Sequence, residues 1–490
     1  MLKASLYRTG SVLAMALALA SCASMAPQDA APVLEQSLKT MGGAQLQSIR
    51  FASKGTGATY GQAFRAGMPW PKINLTQLVR TADYENGAFG EDAVRTRAEP
   101  TGGGAIPLMG TGEQRTTGMM HEGFAWNVAG PANTPAPLAV AVRMHDLWTT
   151  PHGVLKAAQR NKAMMTRRTE DGKTYWAVSF TEPGRFMATA LINAEGLVER
   201  VESRLPNPVA GDVDVVTRYS GYRDHMGVKF PSRIEQSQGG HPTLDVQVQE
   251  IVTNVKTEIA APPNVRQFAE RIAVEKAADG VWFLAGGSHN SVAIEMKDHM
   301  VVVEAPLYDG RSGPMLDAVK ALVPGKPIKY VINSHHHFDH SGGLRTAAAE
   351  GATLITSASA KPFFEKAFAN PNRISPDRLA QSGKSADILG VGGRMSFSDD
   401  TRSFEILSID DSVHVSGFNM VYLPKERILI EADAFTPGPP NSPPSNPVNA
   451  NALNLVQNIE RLNLRVDRIL PLHGRMVDVA ELYRFIGRSR

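Results

Sequence analysis

The chain has 490 residues, 42% hydrophobic and 20% charged, with a formal net charge of +3 and a single cysteine. This composition excludes a disordered polar chain. With no basic run beside so small a charge, it also gives no electrostatic case for a nucleic-acid partner. One cysteine rules out an intramolecular disulfide, and the length calls for two domains rather than one core.

The chain opens like a secretory leader. Lys3 and Arg8 precede an apolar run at residues 12–20 that is too short and too rich in alanine to span a membrane. The run ends in Leu19-Ala20-Ser21-Cys22, which resembles the bacterial lipobox. Residues 1–22 are therefore the expected lipoprotein signal peptide and lipobox, with Cys22 the lipidation site. In lipoproteins of this kind an aspartate after the cysteine signals inner-membrane retention. Ala23 stands there instead, which implies a cell-envelope protein, lipid-anchored in the outer membrane and facing the periplasm. Residues 23–32 are small, polar and proline-containing, and read as a flexible tether.

Residues 33–262 read as a mainly antiparallel β domain. A helix is expected at 34–41, stopped by Gly42-Gly43. Segments such as 47–53, 174–180 and 244–249 then alternate in character between Gly, Pro or Asn clusters, as strands do. One helix is expected at about 146–162, where Pro151 must sit at a turn or a first helical position. The segment 222–231 resembles strands of the bacterial lipoprotein-carrier half-barrel, a likeness carried by one short motif. It implies a concave face suited to an acyl chain. His121, His145, His152, His225 and His241 are dispersed, without ligand spacing, and read as ordinary core or surface residues. Met119-Met120 reads as core filling.

Residues 263–272 complete a proline-rich linker that begins near Glu258, and 273–490 form the second domain. Two strands flank a glycine turn that carries His289 and Asn290, which stand either as substrate contacts or as turn-stabilising residues. After the apolar segment 329–333 comes Ser334-His335-His336-His337-Phe338-Asp339-His340-Ser341-Gly342-Gly343. Imidazoles and carboxylates are the usual ligands of zinc and similar ions. Residues two apart on an extended run face the same way, so His335 and His337 reach one ion while His336 and Phe338 point elsewhere. The chain then turns and offers Asp339 and His340 to a second ion. His414, Asp433 and His473 each lie at the edge of an apolar strand and extend the ligand set. The loop at 436–447 holds six prolines in twelve residues, and reads as a surface connector or a stiff wall over the cleft.

From about Ala273 onward the chain resembles the metallo-β-lactamase superfamily of metal-dependent hydrolases. The likeness rests on the His-x-His-x-Asp-His signature followed in order by His414, Asp433 and His473. It implies a four-layer αββα sandwich, so that the whole chain is α+β. It also assigns His335, His337 and His414 to one metal and Asp339, His340 and His473 to the other, with Asp433 bridging. The β-lactamases of the family generally carry cysteine or serine at the Asp433 position. The resemblance therefore implies a hydrolase of other bonds, not a dedicated β-lactamase.

The expected cofactor is a pair of Zn2+ ions, although this ligand set does not select zinc over iron or manganese. Water bound to such an ion has its pKa lowered from ~15.7 to about 7. The expected reaction is attack by a metal-bridging hydroxide on an ester, thioester, lactone or phosphoester bond of a small, acyl-containing substrate. Asp339 is the expected catalytic proton carrier. The competing reading is a non-catalytic envelope binding or assembly protein that keeps the hydrolase domain as a scaffold. Nothing in the chain specifies an oligomeric state.

Overall fold

A computed structural model describes residues 27–98 and 112–489. The expected leader and Cys22 lie outside the described residues. Among the described residues, the N-terminal half forms one antiparallel sheet of fourteen strands. Its first long strand lies in the middle. The strand Ser48–Ala58 pairs with the last strand, His241–Thr253, on one side and with Lys72–Asp83 on the other. Side chains alternate as a half-covered sheet requires: Val213, Val215, Thr217 and Tyr219 are buried, while Asp214 and Arg218 are exposed. The covered face holds the helices Ala31–Thr40, Ala139–Trp148 and Pro151–Arg160 in one core with Phe51, Phe186, Val201 and Phe230.

Three expectations for this half are corrected. The single helix at 146–162 is two helices. Pro151 lacks an N–H and crowds the preceding turn, so the first helix stops at Trp148 and the second begins at the proline, with the Thr150 hydroxyl accepting from the Gly153 amide (3.1 Å). The described part of the tether is ordered: Gln28–Asp29 pairs with Met164–Met165, Ala30 is fully buried, and a helix starts at Ala31. The linker is mostly exposed but anchored at one point. Its short helix Pro263–Arg266 buries Val265 with Ala261 against Trp126, because the small and proline-rich segment still carries apolar side chains that fit a gap.

The C-terminal half has two sheets. The first runs from Ala273–Ala278 through three antiparallel pairings into the parallel strands Met300–Val303, Ile328–Ile332, Thr353–Ser357 and Asp387–Val391. Parallel neighbours need crossover connections, and Asp309–Leu322, Leu344–Glu350 and Lys361–Ala369 supply them. The second sheet runs from Arg394–Ser398 to Val477–Asp478. Phe283, Val292 and Ile294 of the first sheet meet Phe404, Met420 and Leu429 of the second. Met315, Leu316, Leu344 and Phe364 cover the outer face of the first sheet, and Ala452, Leu455 and Leu482 that of the second. The result is the expected α+β chain, with a four-layer αββα domain after an antiparallel β domain.

Candidate metal centre

The ligand candidates gather where strands of both sheets end. The His335 to His340 segment follows Ile328–Ile332, Asp433 follows Ile428–Glu431, His473 follows Arg468–Pro471, and His414 lies in the turn before Phe418–Leu423. Backbone pairing ends at these points, so the chain is free to turn side chains inward. The short helix Phe338–Ser341 makes the turn that separates Asp339 and His340 from His335 and His337. Gly342 is needed there, since a Cβ would fall 1.8 Å from the Leu307 carbonyl oxygen.

Two groups result. His335, His337, His414 and Asp433 offer ligand atoms within 4.8 Å of one another, and so do His289, Asp339, His340 and His473. In the first, His335 Nε2 lies 3.0 Å from His337 Nδ1 and 3.3 Å from His414 Nε2. In the second, His340 Nε2 and His473 Nε2 are 3.2 Å apart. Asp433 joins the two: Oδ2 is 3.0 Å from His414 Nε2, and Oδ1 is 3.0 Å from both His340 Nε2 and His473 Nε2.

These groups fit divalent ions. A tetrahedral ion with metal–nitrogen bonds of about 2.0–2.1 Å separates its ligands by roughly 3.3 Å. The observed nitrogen–nitrogen distances, 3.0–3.3 Å, sit near that edge. Despite two imidazole nitrogens at 3.0 Å, Asp433 Oδ1 receives no hydrogen bond from either. The atoms converge on a common point instead of on each other.

Electrostatics agree. Burial, with neighbouring imidazoles, pushes His335 and His337 well below the ordinary histidine value, and burial takes His289 down to about 4. Neutral rings keep the lone pairs that a metal needs. Burial works against ionisation of Asp433 and Asp339, but His340 and its neighbours hold both carboxyls below their usual range. His340 runs the other way, raised against its own desolvation by Asp433 and Asp339.

A supporting shell surrounds the rings. Ser334 Oγ meets His335 Nδ1 (3.0 Å), Glu304 Oε2 lies 3.3 Å from His340 Nδ1, and the Ser288 carbonyl accepts from His473 Nδ1 (2.8 Å). Such partners set which nitrogen faces the metal. Sequence reasoning missed Glu304. It is fully buried, it also accepts from Asn333 Nδ2 (3.0 Å) and the Ser334 hydroxyl, and its φ of 74° is left-handed. A charged residue capping the fully apolar strand Met300–Val303 was the available signal.

His289 comes closer to the centre than a substrate contact at the rim would. It stands beside Asp339, with Nε2 3.4 Å from Oδ2, and its Nδ1 meets Ser288 Oγ (2.8 Å). Asn290 faces away from the opening: its buried Nδ2 donates to the Pro471 and Gly474 carbonyls (3.1 and 2.8 Å), tying down the turn that carries His473. The open side is marked by Asp339 and His473, whose side chains are 34% and 20% exposed. Arg475 Nη2 reaches the Gly438 carbonyl (3.3 Å), which brings the proline loop beside this turn.

Residues 284–473 match the family model described as metallo-beta-lactamase superfamily. The chain is 23% identical over 186 residues to the 2,4-dinitroanisole O-demethylase subunit alpha of Nocardioides sp. (strain JS1661), which covers 37% of this chain and 52% of that protein. The chain thus spans about half the length of that curated relative. Among solved structures, a metallo-beta-lactamase from Pontibacter korlensis aligns at 16% identity over 44% of this chain and 98% of its own, with a TM-score of 0.35. Rubredoxin oxygen:oxidoreductase from Desulfovibrio gigas aligns at 14% identity over 44% of this chain and 61% of its own, also at 0.35. Residues 284–473 thus match the metallo-β-lactamase superfamily and carry His/Asp groups suited to metal-dependent, hydrolase-like chemistry, and a large antiparallel β domain precedes them.

Proposed function

We propose that this protein is a dinuclear metallohydrolase of the cell envelope, anchored through Cys22 and loaded with two zinc ions at the groups joined by Asp433. The observation that carries the reading is the Asp433 carboxylate, each of whose oxygens lies 3.0 Å from a different histidine group. The ions would sit at His335, His337 and His414 on one side and at Asp339, His340 and His473 on the other. When bound, such a pair polarises the scissile oxygen and acidifies water from a pKa of ~15.7 toward about 7.

The chain's own residues do the rest. Asp433 holds the two groups at a fixed spacing. Asp339, at the open side, would orient the attacking water or pass a proton to the leaving group, while Gln62 Nε2 donates to Oδ1 (2.7 Å) and leaves Oδ2 facing the centre. A cavity of about 550 Å³ between the domains is lined by Tyr60, Trp70, His241, Phe338, Phe363 and Lys366, and Phe338 directly precedes Asp339 in the chain. Its aromatic walls suit an acyl or aromatic group of the substrate. The name of the curated relative adds an aryl methyl ether to the ester, thioester, lactone and phosphoester bonds to be tried.

The test is metal content of the soluble form beginning after Cys22, with turnover on those substrate classes and a β-lactam, beside His337→Ala. About two zinc per chain and turnover lost in the variant are expected. A well-folded protein that binds no metal after repletion would sink the reading. An Asp339→Asn protein with both metals and full turnover would remove the proton role alone.

A further inference from the structure

The connection between the strands Ser48–Ala58 and Lys72–Asp83 is far longer than a hairpin needs, and it crosses from the N-terminal sheet to the metal centre. Four consecutive residues of it bond to the ligand segments. The Gly61 carbonyl accepts from the Phe338 amide (3.1 Å), and Gln62 Nε2 donates to Asp339 Oδ1 (2.7 Å). The Ala63 carbonyl faces His336 Nε2 (2.8 Å) and His337 Nε2 (3.2 Å), and the Phe64 carbonyl accepts from the Ser416 amide (2.8 Å), two residues from His414. Tyr60 and Trp70 brace the connection by packing on Phe338, with ring centroids 5.4 and 5.6 Å away.

Two of these bonds act on ligand side chains. His337 turns Nδ1 toward His335, so its proton belongs on Nε2, and the Ala63 carbonyl is the acceptor that selects this tautomer. A backbone carbonyl cannot be lost by side-chain drift, so the selection lasts as long as the connection stays seated. Gln62 similarly limits Asp339 to one free oxygen. Seating depends on Gly61, whose φ is +81° and where a Cβ would fall 2.7 Å from Phe338 Cγ.

We propose that the 59–71 connection is a strap by which the N-terminal domain completes the metal centre: Ala63 is a positioning residue for His337, and Gln62 one for Asp339. The proposal rests on the dinuclear reading above. It makes the β domain part of the metal site and not only a neighbour of it.

The test uses the full soluble chain, loaded with cobalt and with zinc, and compares wild type with Gly61→Ala, Gly67→Ala and Gln62→Ala. Gly67 shares the left-handed backbone (φ +78°), but its Cβ would meet nothing closer than 3.8 Å, so it controls for backbone strain. Chelator competition should show Gly61→Ala holding the His335, His337 and His414 ion about 10- to 100-fold more weakly, with a changed cobalt absorption spectrum. Gln62→Ala should weaken only the ion held by Asp339, His340 and His473. Gly67→Ala should match wild type. Gln62→Ala leaves every backbone contact in place, so it reads the strap even where Gly61→Ala fails to fold. Wild type that binds two ions, beside variants with unchanged affinities and spectra, would overturn the strap alone. Wild type that binds none would overturn the dinuclear reading and the strap with it.

Discussion

His145 and His152 in the N-terminal domain are 2% and 0% exposed, as buried as His335 and His337 in the C-terminal one. In the first pair each ring has a protein partner. His145 Nε2 lies 2.7 Å from Ser203 Oγ, and His152 Nε2 donates to the Met41 carbonyl (3.0 Å) while its ring stacks on Phe230. In the second pair ring nitrogens face ring nitrogens. Burial favours the neutral imidazole of His152 as it does those of His335 and His337. What separates a ligand candidate from a core histidine is that its lone pair converges with other lone pairs on a shared point.

The largest test of that contrast is Asp433→Ala. Loss of the carboxylate between the groups should release both ions and remove the several kcal/mol that metal polarisation supplies, lowering kcat/KM roughly 10³-fold; metal analysis and steady-state kinetics read both. Retention of two ions would show that the histidines converge without the bridge.

Glu304→Gln is gentler. It keeps the shape of the side chain but removes the charge facing His340 Nδ1, so metal affinity at the Asp339, His340 and His473 group should fall about 10- to 100-fold in a chelator titration. The deeper His335 group should hold its ion. Equal weakening of both would mean that Glu304 supports the whole strand end and not one ring.

The smallest effect concerns the core histidine. Burial lowers His152 to about 4 from an ordinary value of 6.5. As pH falls below 6.5 the unfolded chain takes up a proton there that the folded chain refuses, so stability drops. The loss should be about 2 kcal/mol at pH 5 relative to pH 7, and it continues until the folded value is reached. Urea unfolding of metal-free wild type and His152→Gln isolates it, since the metal-site histidines contribute alike to both. The variant should lose less stability between pH 7 and 5; parallel curves would show that His152 is no such burden.

The ligand candidates were legible because they are chemically unusual and mostly local. His-x-His-x-Asp-His lies within six residues, and each later candidate borders an apolar strand. Pro151 was legible as a turn or first helical residue, because its constraint is covalent. The order within residues 27–32 and 263–272 was not, because small and proline-rich segments look alike whether they are free or packed. Met164–Met165 and Trp126, which hold them, lie far away in the chain. Glu304 had no spacing signal, and Gln62 lies 277 residues from the carboxylate it touches.

By itself the sequence determined which side chains are available as ligands, that a β-rich half precedes the half that carries the motif, and which residues within the motif share a face. These follow from residue chemistry and from backbone periodicity over a few residues. Only the tertiary structure decided which ring nitrogen faces inward, that Asp433 stands between the groups, and that the β domain reaches into the centre through Gln62 and Ala63. Those outcomes depend on hydrogen bonds and burial satisfied between segments hundreds of residues apart, and no local pattern encodes them.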